Sequence, residues 1–319
     1  LVGLDGDAVD ATQAPCVATV REGALVLWRS RGGALRLAVV DAGWRLGGPA
    51  RELSSEAGAF AMVETPSGAA VVYVERDREL VFARVNTRGE AQNVPRLLLR
   101  AAEELREVAL VRTDVGWLVF CRDERQGVMV RALDVRGVPR GAGISVGQGR
   151  ALRARWLRSQ GLAVLVLEGG EGEEPTLLSM TSAGEVLARS RWPVGTAGPF
   201  ELPDGLYAAQ PTATGGALLL RVPPAGVMVS APEAQLRGRF TVVAAVSDGV
   251  GVTLVQHDAL TGRMLVARAG DAAVPGVVRV GGVVPVGATL DAQGSTLLLH
   301  RETNTHGARV VATTVTCRR

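Results

Sequence analysis

Seven times along this chain a glycine opens a short apolar run. The copies are Gly23-Ala-Leu-Val-Leu-Trp28, Gly68-Ala-Ala-Val-Val-Tyr73, Gly116-Trp-Leu-Val-Phe120, Gly161-Leu-Ala-Val-Leu-Val166, Gly216-Ala-Leu-Leu-Leu220, Gly251-Val-Thr-Leu-Val255 and Gly294-Ser-Thr-Leu-Leu-Leu299. Six of them keep a register of about forty-five residues. A supersecondary unit repeated at that period cannot bury its own apolar face, so it must stack on its neighbours. The pattern therefore predicts a propeller or a solenoid.

More than the first turn is repeated. A second glycine follows each strand pair in Val40-Asp-Ala-Gly43, Val85-Asn-Thr-Arg-Gly89, Leu133-Asp-Val-Arg-Gly137 and Met180-Thr-Ser-Ala-Gly184. The step from first to second glycine is 20, 21, 21 and 23 residues, the length of two short strands and two connections. Leu35-Arg-Leu-Ala-Val-Val40 and Leu80-Val-Phe-Ala-Arg-Val85 are short and apolar, and turn residues bound them, which reads as strand. We expect an all-β, seven-bladed β-propeller of four-stranded antiparallel blades, forming a single domain over 1–319. The blades fall at about 15–58, 59–103, 104–149, 150–198, 199–239, 240–283 and 284–319. The last unit holds three strands, so residues 1–12 are expected to add its missing outer strand and remove an open edge. A pair of β-sandwiches is disfavoured by the uniform period.

The unit Val17-x5-Gly23-x-Leu25-Val26-x-Trp28, followed by Val40-Asp41-x-Gly43 and Leu53-Ser54, resembles the repeats of bacterial seven-bladed β-propeller proteins of the secreted or surface type. The resemblance covers most of the chain and rests on structural positions. The Trp-Asp dipeptide of WD40 repeats, the kelch glycine pair, the sialidase Ser-x-Asp-x-Gly box and the Tyr-Trp-Thr-Asp motif are missing. None of those subfamilies is indicated.

Bulk properties narrow the partners. Apolar residues make up 47% and charged ones 21%, enough for a large core and against disorder. The 35 basic residues, all arginine, nearly balance 32 acidic ones, giving a net charge of +3 without a clustered basic face for nucleic acid or an anionic membrane. No apolar run approaches the roughly twenty residues that a membrane helix needs. The chain begins at Leu1, and an extracytoplasmic place (periplasmic, outer-surface or secreted) is expected, with a leader removed.

Signals for chemistry are sparse. Cys16, Cys121 and Cys317 make neither a disulfide framework nor a CxxC metal site; ring closure brings the chain ends that carry Cys16 and Cys317 together, which leaves a closing disulfide as an alternative, while the strand order sets the two toward opposite faces of the ring. His257 and His300 each lie six residues after a repeat glycine, at equivalent positions of adjacent blades, with His306 in the same loop as His300. Equivalent atoms of neighbouring blades lie on the order of 10 Å apart, too far for shared chelation. Acidic residues gather in loops, where solvation explains them. Trp28, Tyr73 and Trp117 read as packing between blades, while Trp44 and Trp192 read as candidates for exposure. Arg153, Arg155 and Arg158 alternate around Trp156 in an inner strand; they either hold an anion in the axial channel or hydrate it.

The best recognition surface in the sequence is the set of second-to-third-strand (B–C) loops, which cluster on one face and differ from blade to blade. Its candidate residues are Arg29, Arg31, Arg76, Asp77, Arg122, Asp123, Glu171, Glu173, His257, His300 and Glu302. Positive charge early and negative charge in the fourth loop make an asymmetric potential suited to orienting a protein. The expectation is a non-catalytic interaction or scaffold module in a larger assembly, with other protein subunits or a polysaccharide as partner and with no cofactor or metal. The alternatives are a carbohydrate-binding propeller and a hydrolase with an axial-face site.

Overall fold

The computed structural model describes residues 10, 13, 15–21, 23–41, 45–170, 173–192, 196–202, 205–211, 216–222, 232–237, 241–247, 252–258, 263–269, 276–278, 283–290, 296–304 and 307–315. Within these, side chains are described as far as residue 201 and at 206–210, 220–222, 253 and 255.

The strands form successive antiparallel sheets in chain order. The first sheet is β1 (Cys16–Val20), β2 (Gly23–Arg29), β3 (Leu35–Asp41) and β4 (Arg51–Ser54). The second is β5 (Ala57–Thr65), β6 (Gly68–Glu75), β7 (Glu79–Asn86) and β8 (Arg96–Arg100). The third is β9 (Leu105–Thr113), β10 (Gly116–Asp123), β11 (Gly127–Asp134) and β12 (Ile144–Gln148). The fourth is β13 (Ala151–Leu157), β14 (Leu162–Glu168), β15 (Thr176–Met180) and β16 (Val186–Arg191). The fifth is β17 (Ala197–Leu202), β18 (Gly205–Pro211), β19 (Gly216–Val222) and β20 (Pro232–Arg237). The sixth is β21 (Thr241–Ser247), β22 (Val252–Asp258), β23 (Arg263–Ala269) and β24 (Gly276–Val278). A three-stranded sheet follows, of β25 (Val283–Leu290), β26 (Thr296–Asn304) and β27 (Gly307–Val315). No helix among the described residues is long and apolar enough to cross a membrane.

The first strands β1, β5, β9, β13, β17, β21 and β25 pack each against the next, and β25 packs against β1. This is the arrangement of β-propeller blades around an axis, with apolar seams between faces. In β6 the alternation is explicit: Val71 and Tyr73 join the core shared with the first sheet, while Ala70, Val72 and Val74 join the core shared with the third. Buried on both faces, such a strand reads as an unbroken apolar run. The outer strand β16 instead alternates half-buried and exposed positions along Val186–Arg191.

The repeat glycines have a steric cause. At Gly23, Gly68 and Gly116 a Cβ would sit 1.8, 2.1 and 2.0 Å from the carbonyl oxygens of Val40, Val85 and Leu133, and φ is +153°, +141° and +154°. The end of the third strand crosses so close that only a hydrogen fits. Gly161 departs from this expectation: its φ is +63° and nothing lies within 4 Å of a built Cβ, so it serves as an ordinary turn residue before β14.

The second turn of each unit is tied by a side-chain oxygen. Asn86 Oδ1 accepts from the backbone N–H of Arg88 and Glu90, both at 2.9 Å, and Asp134 Oδ1 accepts from Arg136 and Val138, both at 2.8 Å. Thr181 Oγ1 takes the same role toward Ala183 and Glu185. Hydrogen bonds from the Val138 and Arg136 amides hold the Asp134 carboxyl below its ordinary pKa. A depressed folded-state pKa stabilises above the unfolded value and is lost as pH falls through the folded one. Asp134→Asn keeps an acceptor but cannot titrate, so its Tm should decline less than the wild type's between pH 5 and pH 2. Equal declines would show that the turn does not carry this dependence.

Candidate functional site

The B–C turns and the connections that lead to the next sheet meet on one axial face. Backbone bonds lock them together: Ala57 N to Gly33 O at 2.8 Å, Leu105 N to Asp77 O at 2.7 Å, Glu124 N to Glu104 O at 2.8 Å and Gly149 N to Gln126 O at 2.9 Å. The sequence-selected residues are distributed over this rim. Arg29 donates through Nε to Asp10 Oδ2 at 2.7 Å and through Nη1 to Ala57 O at 3.2 Å, so it fastens the incoming chain. Arg122 Nε pairs with Glu107 Oε2 at 3.0 Å, and Glu107 also accepts from Leu152 N of the next sheet. Asp123 Oδ1 caps Gly127 N at 2.8 Å, and Glu173 Oε2 accepts from Gly170 N at 2.9 Å. Arg31 is exposed. Arg76 is exposed and lies 3.7 Å from Glu56. Arg76 and Asp77 have φ of +50° and +61°, a tight hairpin geometry that non-glycine residues adopt at a cost. Glu171 lies outside the described residues.

The histidine expectation needs correction. A bulge between Pro285 and Gly287 pairs His300 with Pro285, and one between Val242 and Ala244 pairs Gln256 with Val242, so Gln256 matches His300 and His257 matches Arg301. The two histidines are one residue out of register. Moreover, His300 and Glu302 lie within β26, not in a loop, and Glu302 pairs with Val283 and Arg309. His306 falls outside the described residues.

The inner strands reveal what the loops do not. Counting back from the strand ends Val20, Thr65, Thr113 and Leu157, the residues two places earlier are Ala18, Val63, Val111 and Arg155. Four places earlier they are Cys16, Ala61, Ala109 and Arg153. The seam between the fourth and fifth sheets thus carries two guanidiniums where the three preceding seams carry small or apolar side chains. Arg153 donates through Nη1 to Thr196 O at 2.9 Å and pairs through Nη2 with Glu168 Oε1 at 3.0 Å, yet its buried Nε has no hydrogen-bond partner among the described residues. Arg155, half-buried, makes no hydrogen bond or ion pair among them. Burial pushes its guanidinium pKa down, with Glu201 opposing and Arg158 adding to the shift. Glu201 is itself engaged, accepting from Ser159 N and Oγ at 3.0 Å. An unpaired cation in such a place should cost stability. Arg155→Met is therefore expected to raise stability by about 1 kcal/mol, or Tm by roughly 1–3 °C; a lower Tm in the variant would show that the charge is satisfied.

Other chemistries are thinly provided. Among the described residues no group of three His, Cys, Asp or Glu could hold a metal. Burial raises the Cys16 thiol to about 11 and the Cys121 thiol, with Asp123 adding, to about 12. Cys16 is not bridged to any described residue, and Cys317 lies outside them. Thiolate is the reactive form, so native alkylation of both at pH 8 should run at least roughly a hundredfold slower than in denaturant, read by mass spectrometry. Comparable rates would contradict the burial. Trp192, expected at the surface, is 1% exposed and fills the seam of the fourth and fifth sheets. Trp28, Tyr73, Trp117, Trp156 and Tyr207 are buried too, so none of them presents a face to a sugar.

The sequence matches no protein-family model and no curated protein. Solved structures share the fold. The β-propeller domain of Cps50 (Swd1) from Myceliophteria thermophila superposes with a TM-score of 0.60 at 11% identity, over 98% of this chain and 100% of that one. Hydrazine synthase from Kuenenia stuttgartiensis gives 0.59 at 12% identity, over 97% and 98%. Virginiamycin B lyase from Staphylococcus aureus gives 0.57 at 10% identity, over 92% and 93%. The fold is that of β-propellers both bacterial and eukaryotic, not of the bacterial surface type in particular. The expectation of a protein without catalysis is overturned as well, because lyases use this same propeller, and a scaffold role does not follow from it.

Proposed function

We propose that the protein is a bond-cleaving propeller enzyme, a hydrolase or lyase, that takes a small anionic substrate at its axial channel. The observation that carries this reading is the pair Arg153 and Arg155 in an inner strand, where the three preceding strands hold Cys16, Ala61, Ala109, Ala18, Val63 and Val111. A charge kept in a seam against the apolar rule points to function rather than packing. Use of the same fold by a lyase supports catalysis on such a scaffold. In the proposed role Arg155 meets a carboxylate or phosphate of the substrate, and Arg153, held by Glu168 and Thr196, orients the seam around it.

The test is a thermal-shift screen of carboxylate- and phosphate-bearing small molecules, followed by mass spectrometry of each binder for product. A binder is expected to stabilise the wild type by several degrees and Arg155→Met not at all. Binders that are never turned over would remove the catalytic half of the proposal, and binding undiminished in Arg155→Met would remove the site.

Two finer features belong to the same proposal. The ring is taken as seven blades, closed by the N-terminal segment as fourth strand of the β25–β27 sheet. The anchoring of Asp10 supports this, since its N–H donates to Arg29 O at 2.9 Å beside the first sheet. Removing residues 1–9 should then lower Tm clearly, whereas an unchanged Tm would reject that closure. The protein is also placed outside the cytoplasm, which cell fractionation checks, with the exposed Arg31 and Arg76 offered to a protein partner.

A further inference from the structure

On the end of the propeller opposite the B–C turns, a cleft of about 130 Å³ opens between the second and third sheets. It is lined by the two first-to-second-strand turns at Thr65 to Ser67 and Thr113 to Asp114, with Arg84, Arg112, Trp117 and Val135 around it. Three of its lining residues each carry a buried side-chain polar atom with no hydrogen-bond partner among the described residues: Thr65 Oγ1, Arg84 Nε and Trp117 Nε1. They come from β5, β7 and β10, so chain neighbourhood does not explain their meeting.

We propose that this cleft is a binding site for an oxyanion, the carboxylate or phosphate head of a small molecule. The chemistry of the walls sets that class. An indole N–H and a guanidinium Nε–H can only donate, and a threonine hydroxyl can donate too, so all three can point a hydrogen at one acceptor. Buried donors left unmatched are unfavourable, which makes a strong acceptor the fitting occupant. Two guanidiniums, Arg84 and the exposed Arg112, face one carboxylate, Asp114, and Asp114 Oδ1 already accepts from Trp156 Nε1 at 3.3 Å. The balance is positive, so an anion is favoured over a neutral carbonyl. The space amounts to about four waters at roughly 30 Å³ each, enough for a carboxylate or phosphate head and too little for a nucleotide. Trp117 is held in place by the Phe82 ring at 5.7 Å and 52°, so its N–H direction is preset.

The site stands at the other end of the strands from the B–C rim and does not depend on the channel proposal. It is tested on the full chain by following tryptophan indole N–H resonances during titration with sodium phosphate and, separately, sodium acetate, each against sodium chloride at equal ionic strength. One indole resonance, identified by its loss in Trp117→Phe, is expected to move downfield and saturate with an oxyanion but not with chloride. Arg112→Met, a change at an exposed rim position, should weaken that response at least tenfold. Tighter response to phosphate assigns a phosphorylated ligand, and tighter response to acetate a carboxylate. No responding indole, a response equal in chloride, or an undiminished response in Arg112→Met overturns the proposal; the wild-type titration decides this even if Trp117→Phe fails to fold.

Discussion

Gly68→Ala will destabilise the protein by at least about 3 kcal/mol, whereas Gly161→Ala will cost about 1–2 kcal/mol. Both are repeat glycines with similar apolar runs behind them, so sequence alone ranks them equally. The difference is steric. A Cβ at Gly68 lands 2.1 Å from Val85 O, 2.6 Å from Asn86 C and 2.7 Å from Asn86 Cα, all backbone atoms of the paired strand β7. No rotamer change relieves such a clash; β6 and β7 must separate at their first pair, Gly68 with Asn86, which also disturbs the Asn86-capped turn. At Gly161 the space is open, and the cost is that of φ +63° for an L-residue. Urea unfolding of the two variants measures the contrast. Equal losses would mean that the strand pair shifts freely and that the close approach is not what selects glycine.

The second large effect is expected at Phe82→Ala, about 3–5 kcal/mol. Phe82 is 0% exposed in the core between the second and third sheets, and it packs on Trp117. A Cβ at Gly137, in the turn of the third sheet, would come within 2.3 Å of its ring, so that turn sits directly on the phenyl face. Removing the ring leaves a cavity bounded by two paired sheets, which cannot collapse without breaking their hydrogen bonds. Leu187→Ala is the contrast, since Leu187 is 59% exposed on the outer strand β16 and should change stability by no more than about 0.5 kcal/mol. Thermal unfolding checks both. A Phe82→Ala loss below that of an exposed leucine would show that the seam is not tightly packed. The same substitution should blunt the oxyanion response of Trp117, because the indole loses the neighbour that orients it.

These contrasts mark how far the sequence could be read. The spacing of Gly23, Gly68 and Gly116 located the start of the second strand in three sheets, and the second glycines located the turns after the third strands, because both are demands of local backbone geometry. The apolar run that became β6 announced a short strand, and the structure added that it is covered on both faces. The same reading erred where the outcome depends on a distant partner. Trp192 was expected near the surface from its neighbouring turn, yet the fifth sheet covers it. His257 and His300 share a spacing from glycine, but β22 begins at Val252, one residue after its glycine, and β26 at Thr296, two residues after its own, so the histidines stand one place apart in the sheets. Arg29 and Arg122 looked like free rim charges and are instead consumed by Asp10 and Glu107.

The sequence by itself determined the repeating unit, since turn glycines, capping oxygens and short apolar runs act within a few residues of one another and need no neighbouring sheet to have their effect. Only the tertiary structure decided which seam each side chain enters. In the inner strands alternate residues face opposite neighbours, so Arg153 and Arg155 acquire their meaning from the fifth sheet, which the chain reaches some forty residues later. The meeting of Thr65, Arg84 and Trp117 around one cleft is likewise a product of stacking two sheets, and no periodicity along the chain encodes the distance between atoms on separate blades.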